Sequence, residues 1–318
     1  MNILNWLNAL PGAAAQGIVW GIMAIGVYIT YRILDIADLT VDGSICTGAA
    51  VCTVLITNGV NAWPAMLIAT LAGALCGLLT GIFHTAMGIP AILAGILTQL
   101  ILWSVNLKIM GQANLALSSR NFPVLLTSMR VLPSLLLLGI FIICLIAVLY
   151  CFFGTELGAS LRATGSNMNM SRAQGINVEF IKVLGLVLSN AIVALSGALL
   201  AQYQGFADIS MGRGAIVIGL AAVIIGEAII SPLVSSNFTK KIGIGFAFRL
   251  LGVVLGGIIY FFVYQTVIFL GLDTDLLKML SALVVAIFLA VPYWKKKYFS
   301  AAKEIPAATE GKEAHKDA

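Results

Sequence analysis

Apolar residues run through this chain in long blocks separated by short polar stretches. A helix needs about 20 apolar residues to cross the hydrocarbon core of a bilayer. Nine blocks approach or exceed that length: 13–33, 41–58, 62–87, 89–111, 131–153, 179–203, 212–231, 243–271 and 275–294. Between the fifth and the sixth lies a polar island, Gly154 to Asn177, reading GTELGASLRATGSNMNMSRAQGIN. The pattern predicts an all-α, polytopic integral membrane protein with roughly 8–10 transmembrane helices. It places the membrane domain over 1–294 and a solvated, disordered tail, rich in Ala, Lys and Glu, over 295–318.

Composition sharpens this picture. The 318 residues are 60% hydrophobic and 10% charged, and the mean hydropathy is +1.04. A soluble domain needs more charge to cover its surface, so here apolar side chains must face lipid. The net charge of +5 does not signal nucleic acid, because Lys295, Lys296 and Lys297 follow an apolar block directly and read as a cytoplasmic anchor. The five cysteines, Cys46, Cys52, Cys76, Cys144 and Cys151, lie within apolar blocks without metal-ligand spacing. They are expected to be small buried hydrophobes, with no metal site. No charge precedes Arg32, so the first block is expected to stay in the protein rather than be cleaved as a signal peptide.

Lys and Arg in short loops set the orientation. A cytoplasmic Lys295–Lys297 places the loop with Asp273 and Asp275 outside and that with Lys240 and Lys241 inside. The polar island, with Arg162, Arg172 and Lys182 near it, then falls inside. Continuing towards the start puts the 112–130 loop outside, the 34–41 turn inside and the N-terminus outside. Here the charges agree less well, since the outer loop carries Arg120 and Arg130 and the inner turn Asp35, Asp38 and Asp42. Gly73, Gly77 and Gly81, Gly17 with Gly21, and Gly252 with Gly256 recur four apart, a spacing that lets helices approach closely in lipid.

Within the island, Leu161-Arg162-Ala163-Thr164-Gly165 reads as a helix end with Gly165 in a left-handed cap. Ser166 and Asn167 offer caps for a second short helix, and Gly175-Ile176-Asn177 breaks the chain before the next block. A short surface helix hinged at both ends can pass a partner's movement into the spans, although an ordinary cytoplasmic loop fits the same residues. Leu161-Arg162-Ala163, Gly165, Asn167, Ala173 and Gly175-Ile176-Asn177 resemble the coupling segment of bacterial ATP-binding-cassette (ABC) importer permeases. The similarity covers most of 13–294 and is to the branched-chain amino-acid and ribose permease superfamily. Within it, the chain resembles the tryptophan/tyrosine-like transport system permeases.

That resemblance implies a permease subunit of an ABC importer in the bacterial inner membrane, with Leu161 to Asn177 seated in a cleft of a separate ATPase subunit. It further implies an extracytoplasmic solute-binding protein or lipoprotein and a second permease copy, expected to be identical. The solute is expected to be small, an aromatic or other amino acid. Gly226-Glu227 stands where these permeases often carry paired glycines at a turn. No G-x-x-x-x-G-K-[ST] occurs, so ATP and Mg would be bound by the partner, and this chain is expected to hold no cofactor and no catalytic residues.

Two segments share a pattern, Ala37-Asp38-Leu39-Thr40-Val41-Asp42-Gly43-Ser44 and Ala207-Asp208-Ile209-Ser210-Met211-Gly212-Arg213-Gly214. Each is Ala-Asp-aliphatic-hydroxyl before a new apolar block, the first expected at the inner face and the second at the outer. An inverted repeat with polar breaks along a path would look this way, which makes Asp38, Thr40, Asp42, Ser44, Asp208, Ser210 and Arg213 translocation-path candidates. Ionisable residues at membrane depth invite functional scrutiny, and Glu227 joins these. Arg32 with Asp35 reads as a helix-end pair, and His84 as a hydrogen-bonded interface residue. The alternative is a secondary transporter driven by protons or sodium, which needs an acid buried at mid-span; most acids here fall near predicted span ends. An intramembrane enzyme lacks support, with no H-E-x-x-H and no Ser/His/Asp constellation.

Overall fold

The computed structural model describes residues 3–119, 122–234 and 245–269, with isolated helical positions at 279, 283, 286 and 290. Apart from those four positions, the ninth apolar block lies outside the described residues, as do the Lys295–Lys297 anchor, the tail and the loops with Lys240 and Asp273. The other eight blocks are helices. They are α1 (Ile3–Tyr28), α2 (Val41–Thr57), α3 (Ala62–Thr85), α4 (Ala91–Met110), α5 (Val131–Gly154), α8 (Val178–Gln204), α9 (Ala215–Val234) and α10 (Gly245–Phe269). The island forms α6 (Glu156–Ser166) and α7 (Met168–Ala173). Six described helices are long and apolar enough to cross a membrane, while α2 and α9 are shorter apolar helices.

Local chemistry sets several boundaries. Pro64 and Pro133 sit in the first turns of α3 and α5, where their missing N–H costs no helical hydrogen bond. Gly111 and Gly205 end α4 and α8 at φ 69° and 82°, a conformation that side chains with a Cβ rarely adopt. At its far end α1 loosens into a π turn, Ile29–Ile33, and Asp35 follows at φ 56°.

Helix α8 lies at the centre. Helices α2 and α3 pack on it, and α1 joins it to a second group formed by α9 and α10. Glycines make these approaches close. A methyl group on Gly73 or Gly77 would collide with α8 backbone at Asn190 or Leu186, and one on Gly48 with the Ala194 carbonyl. The α1–α10 and α9–α10 contacts work the same way, through Gly17 and Gly21 against Ile258 and Val254 and through Gly256 against Ala222. All three predicted glycine faces are thus helix contacts, as expected where lipid gives apolar side chains no reason to associate.

Apolar side chains also cover the outside. Leu67, Leu71 and Leu75 of α3 and Leu132, Leu136, Ile140 and Ile143 of α5 are exposed in stripes suited to lipid. Two of the five cysteines depart from expectation. Cys46, Cys52 and Cys76 are buried, but Cys144 and Cys151 are exposed on α5, because α5 packs along one narrow stripe only.

Two ends of the bundle are distinguishable. At one end Gly165 of α6 rests on the backbone of Ile33 and Leu34. At the other, β1 (Asn114–Ala116) pairs antiparallel with β2 (Phe206–Asp208), and Leu117 N–H donates to Gly205 O at 2.7 Å. The start of the 34–41 turn, at Leu34, thus lies with the polar island, and the ribbon strand of the 112–130 loop lies at the opposite end, which is the relative placement that the orientation argument expects. The small two-stranded ribbon was not foreseen.

Gly77→Val drives a branched side chain into the Leu186 carbonyl. It is expected to cost at least about 1–3 kcal/mol and lower the thermal unfolding midpoint in detergent. Leu71→Val on the exposed face is expected to stay within about 0.5 kcal/mol of the parent.

Candidate functional site

The chain between the π turn and α2 does not stay at the bundle end. Residues 35–40 return non-helically into the interior and α2 begins there. Asn190 fixes the depth, lying twelve residues after Val178 and fourteen before Gln204, so roughly 20 Å from either end of α8 at 1.5 Å per residue. Its Nδ2 donates to Asp38 Oδ2 at 2.7 Å, and Ser44 Oγ donates to its Oδ1 at 2.6 Å. Asp38 Oδ1 accepts the Thr40 N–H at 2.9 Å. Thr40 Oγ1 shares a hydrogen bond with Thr80 Oγ1 at 2.7 Å, and Thr80 Oγ1 donates to Thr98 Oγ1 at 3.0 Å. These six polar side chains are buried and join α2, α3, α4 and α8.

Asp38 is therefore an exception to the expectation that most acids fall near span ends. It is 2% exposed at mid-span, because the re-entrant segment carries it inward. Both carboxylate oxygens have donors, which is what a carboxyl group needs at that depth.

The second Ala-Asp-aliphatic-hydroxyl segment adopts the same local structure. Asp208 Oδ1 accepts the Ser210 N–H at 2.7 Å and also the Ser210 hydroxyl, repeating the Asp38–Thr40 turn. The first segment enters from the α6 end and the second from the β1–β2 end. They are not confined to opposite faces, as predicted, but meet. Asp42 accepts the N–H groups of Gly214 and Ile216, both at 3.0 Å, and so caps the start of α9. Gly212 packs on the Asp42 carbonyl, and Cys46 Sγ donates to Ile209 O at 3.4 Å. The carboxylate satisfies amides that a helix start leaves unpaired and complements the positive end of the helix dipole.

The path candidates thus divide. Asp38, Thr40 and Ser44 are sealed within the subunit, and Asp42 binds backbone. Ser210 lies exposed beside the ribbon, where Asp208 also accepts a 3.5 Å hydrogen bond from Asn114. Arg213 alone opens into a cavity between α1, α9 and α10. Asn190, Thr80 and Thr98 were missed by sequence reasoning, since a polar residue inside an apolar block carries no mark of its partner.

At the α6 end of the bundle, Arg32 pairs with Glu227 rather than Asp35, Nε to Oε1 at 2.9 Å, tying the π turn to α9. Asp35 holds a left-handed turn instead. Gly226 and Glu227 lie inside α9, not at a turn, and Gly226 packs on the Gly252 carbonyl of α10. His84 Nδ1 makes the expected hydrogen bond, to Ile89 O at 2.9 Å.

In the island, Thr155 caps α6, accepting the Gly158 N–H, Asn167 caps α7 and Asn177 caps α8. Gly175 is left-handed at φ 83°, as the predicted break requires. Gly165 departs from the reading as a left-handed cap. It lies within α6, where the absence of a side chain lets the helix touch the Ile33 carbonyl. Leu161 is buried beside Gly185 of α8, and Arg162 Nη2 donates to Phe153 O at 3.0 Å at the end of α5. Ala163 and Ile176 are half-buried, while Arg162, Asn167, Gly175 and Asn177 are exposed. The exposed face also carries Leu157 and Met170.

Asn190→Leu removes the donor to Asp38 and the acceptor for Ser44 while keeping the volume. The variant is expected to lose about 1–3 kcal/mol for each polar group left buried and unpaired, read as a lower unfolding midpoint in detergent. An unchanged midpoint would show that the network does not brace the fold.

Comparison with known proteins agrees with this architecture. Residues 10–291 match the family described as branched-chain amino acid transport system / permease component. A tyrosine transport system permease protein of Clostridioides difficile is 38% identical over 284 residues, covering 89% of this chain and 91% of the relative. An uncharacterized protein of Rickettsia prowazekii is 35% identical, covering 89% of this chain and 98% of its own. The autoinducer 2 import system permease protein LsrC of Shigella flexneri is 29% identical over 58% of this chain and 55% of the relative. No solved structure matches. With its six helices long enough to span a bilayer, the chain belongs to the branched-chain amino acid transport permease family and is a multi-pass inner-membrane permease subunit of an ABC importer.

Proposed function

We propose that α6 and α7 form the coupling segment at which a separate ATPase subunit docks, and that this chain holds no ATP site of its own. The observation that carries this reading is the division of the island into two faces. Leu161 and Gly165 lock α6 onto α8 and the π turn, while Leu157, Arg162, Asn167 and Met170 face outward. A force on the outer face would pass through a backbone contact at Ile33 into α1 and the re-entrant segment behind it. Residues 154–177 thereby act as one unit with the membrane domain.

In this reading a receptor protein outside delivers the solute and two copies of the permease pair to enclose its path. The Clostridioides relative is named for tyrosine transport, and an amino acid, aromatic ones included, is the solute class proposed for this chain. Asp38, Thr40, Asp42 and Ser44 brace the two broken segments, Asp208 and Ser210 fix the outer turn, and Arg213 faces the solute. The alternative, a transporter driven by an ion gradient, would put Asp38 to work as a proton or sodium site. Its two oxygens are instead taken up by Thr40 and Asn190 within a sealed network.

Gly165→Val is expected to keep the permease in the membrane but to reduce co-purification of the ATPase by about tenfold, a 1.4 kcal/mol change in docking. Gly139→Val, with open space around that position, serves as the control. ATPase recovery at the parent level with Gly165→Val would contradict the coupling assignment.

A further inference from the structure

The cavity that Arg213 enters has a volume of about 670 Å³, within the range that holds small ligands. Its lining has an unusual division. Trp20 of α1 and Tyr260, Phe261 and Tyr264 of α10 gather aromatic surface on one side, with Trp20 and Phe261 stacked at 6.0 Å between ring centroids. Gln16, Gln204 and Gln265 add amides that can donate or accept. Arg213 stands at the start of α9, exposed, and among the described residues no carboxylate lies within ion-pair distance of its guanidinium. The acids of the two turns that meet here are engaged elsewhere: Asp42 of α2 accepts the N–H groups of Gly214 and Ile216, and Asp208 accepts the N–H and hydroxyl of Ser210.

Gln204 is the last residue of α8 and Met211 follows the ribbon, so the cavity lies towards the β1–β2 end, away from α6. A solute handed over at the outer face would meet it first. An unpaired guanidinium recognises a carboxylate through paired N–H donors. Aromatic faces beside it take an aromatic ring in offset or edge contact, and the glutamine amides suit the remaining polar group.

We propose that this cavity is a binding site for a solute carrying both a carboxylate and an aromatic ring, an aromatic amino acid, with Arg213 as the carboxylate anchor and Trp20, Tyr260 and Tyr264 as the ring wall. The inference rests on the importer reading above and adds to it the site and the two chemical groups that the site requires. An aliphatic amino acid supplies the carboxylate without the ring, and an aryl amine the ring without the carboxylate, so each meets half of the cavity.

The test uses the permease with its ATPase in proteoliposomes, without the receptor. The exposed native Cys144 and Cys151 are changed to serine, and Val217→Cys in the cavity wall reports the rate of labelling by N-ethylmaleimide. Ile268→Cys on α10 is a second reporter should the first disturb folding. L-phenylalanine is expected to slow labelling about fivefold, while phenethylamine and L-leucine change it by less than about twofold, as loss of one charge-assisted contact or one ring contact requires. Arg213→Gln is expected to raise the L-phenylalanine concentration needed for protection about tenfold, and Arg213→Lys to restore part of it. Absence of protection at both reporters, equal protection by phenethylamine, or protection undiminished in Arg213→Gln would each overturn the proposal. Uptake measured on the same vesicles with the receptor added separates the two readings. ATP-dependent uptake of L-phenylalanine without protection removes the site and keeps the importer, whereas uptake needing neither ATP nor receptor removes the importer reading itself.

Discussion

Broken helices inside a bilayer leave backbone amides and carbonyls where no water can reach them, and each must find a partner in the protein. Two aspartates meet that demand here. Asp38 turns the re-entrant segment by accepting the Thr40 N–H, and Asp42 accepts two N–H groups at the start of α9. Without Asp42 the two breaks would face each other with unpaired donors at the point where they touch. Much of the central architecture follows from that meeting. Helix α2 can begin in the interior because Asn190 and Thr80 hold its leading turn, and α9 can begin there because α2 caps it.

The glycine contacts around α8 are the complement of this polar centre. Apolar packing alone gives little preference for one helix arrangement over another in lipid, so close backbone approach and interhelical hydrogen bonds must select it. Gly48, Gly73 and Gly197 bring α2, α3 and α8 near enough for Ser44 to reach Asn190 and for Thr40 to reach Thr80. Gly165 extends the same device to the surface, where α6 touches the turn from which the re-entrant segment departs. Polar centre and surface helix are therefore connected by a short run of backbone contacts rather than by flexible side chains.

Much of this was legible in the sequence. Block lengths fixed the helices, Gly175 and Asn177 marked the break before α8, and the repeated Ala-Asp-aliphatic-hydroxyl pattern identified the two turns that share one geometry. What escaped were properties of relative position. Asp38 looks like a loop residue next to an apolar block, and nothing in its neighbours says that the loop returns to mid-span. Gly165 reads equally well as a helix terminator and as a contact point, and only the presence of Ile33 beneath it distinguishes them. Arg32 was assigned to nearby Asp35 although its partner Glu227 lies 195 residues away. The aromatic wall behind Arg213 draws on α1 and α10, which sequence separation keeps apart.

The most direct test of the account is ATP hydrolysis by this chain reconstituted in liposomes with its ATPase and its receptor. The receptor would be loaded in turn from a panel of amino acids and other small metabolites. Hydrolysis that rises only when permease, ATPase and a loaded receptor are all present is the predicted result, and the solute that produces it names the cargo. Solute accumulation by the permease alone under a proton or sodium gradient, with no change in hydrolysis, would contradict it.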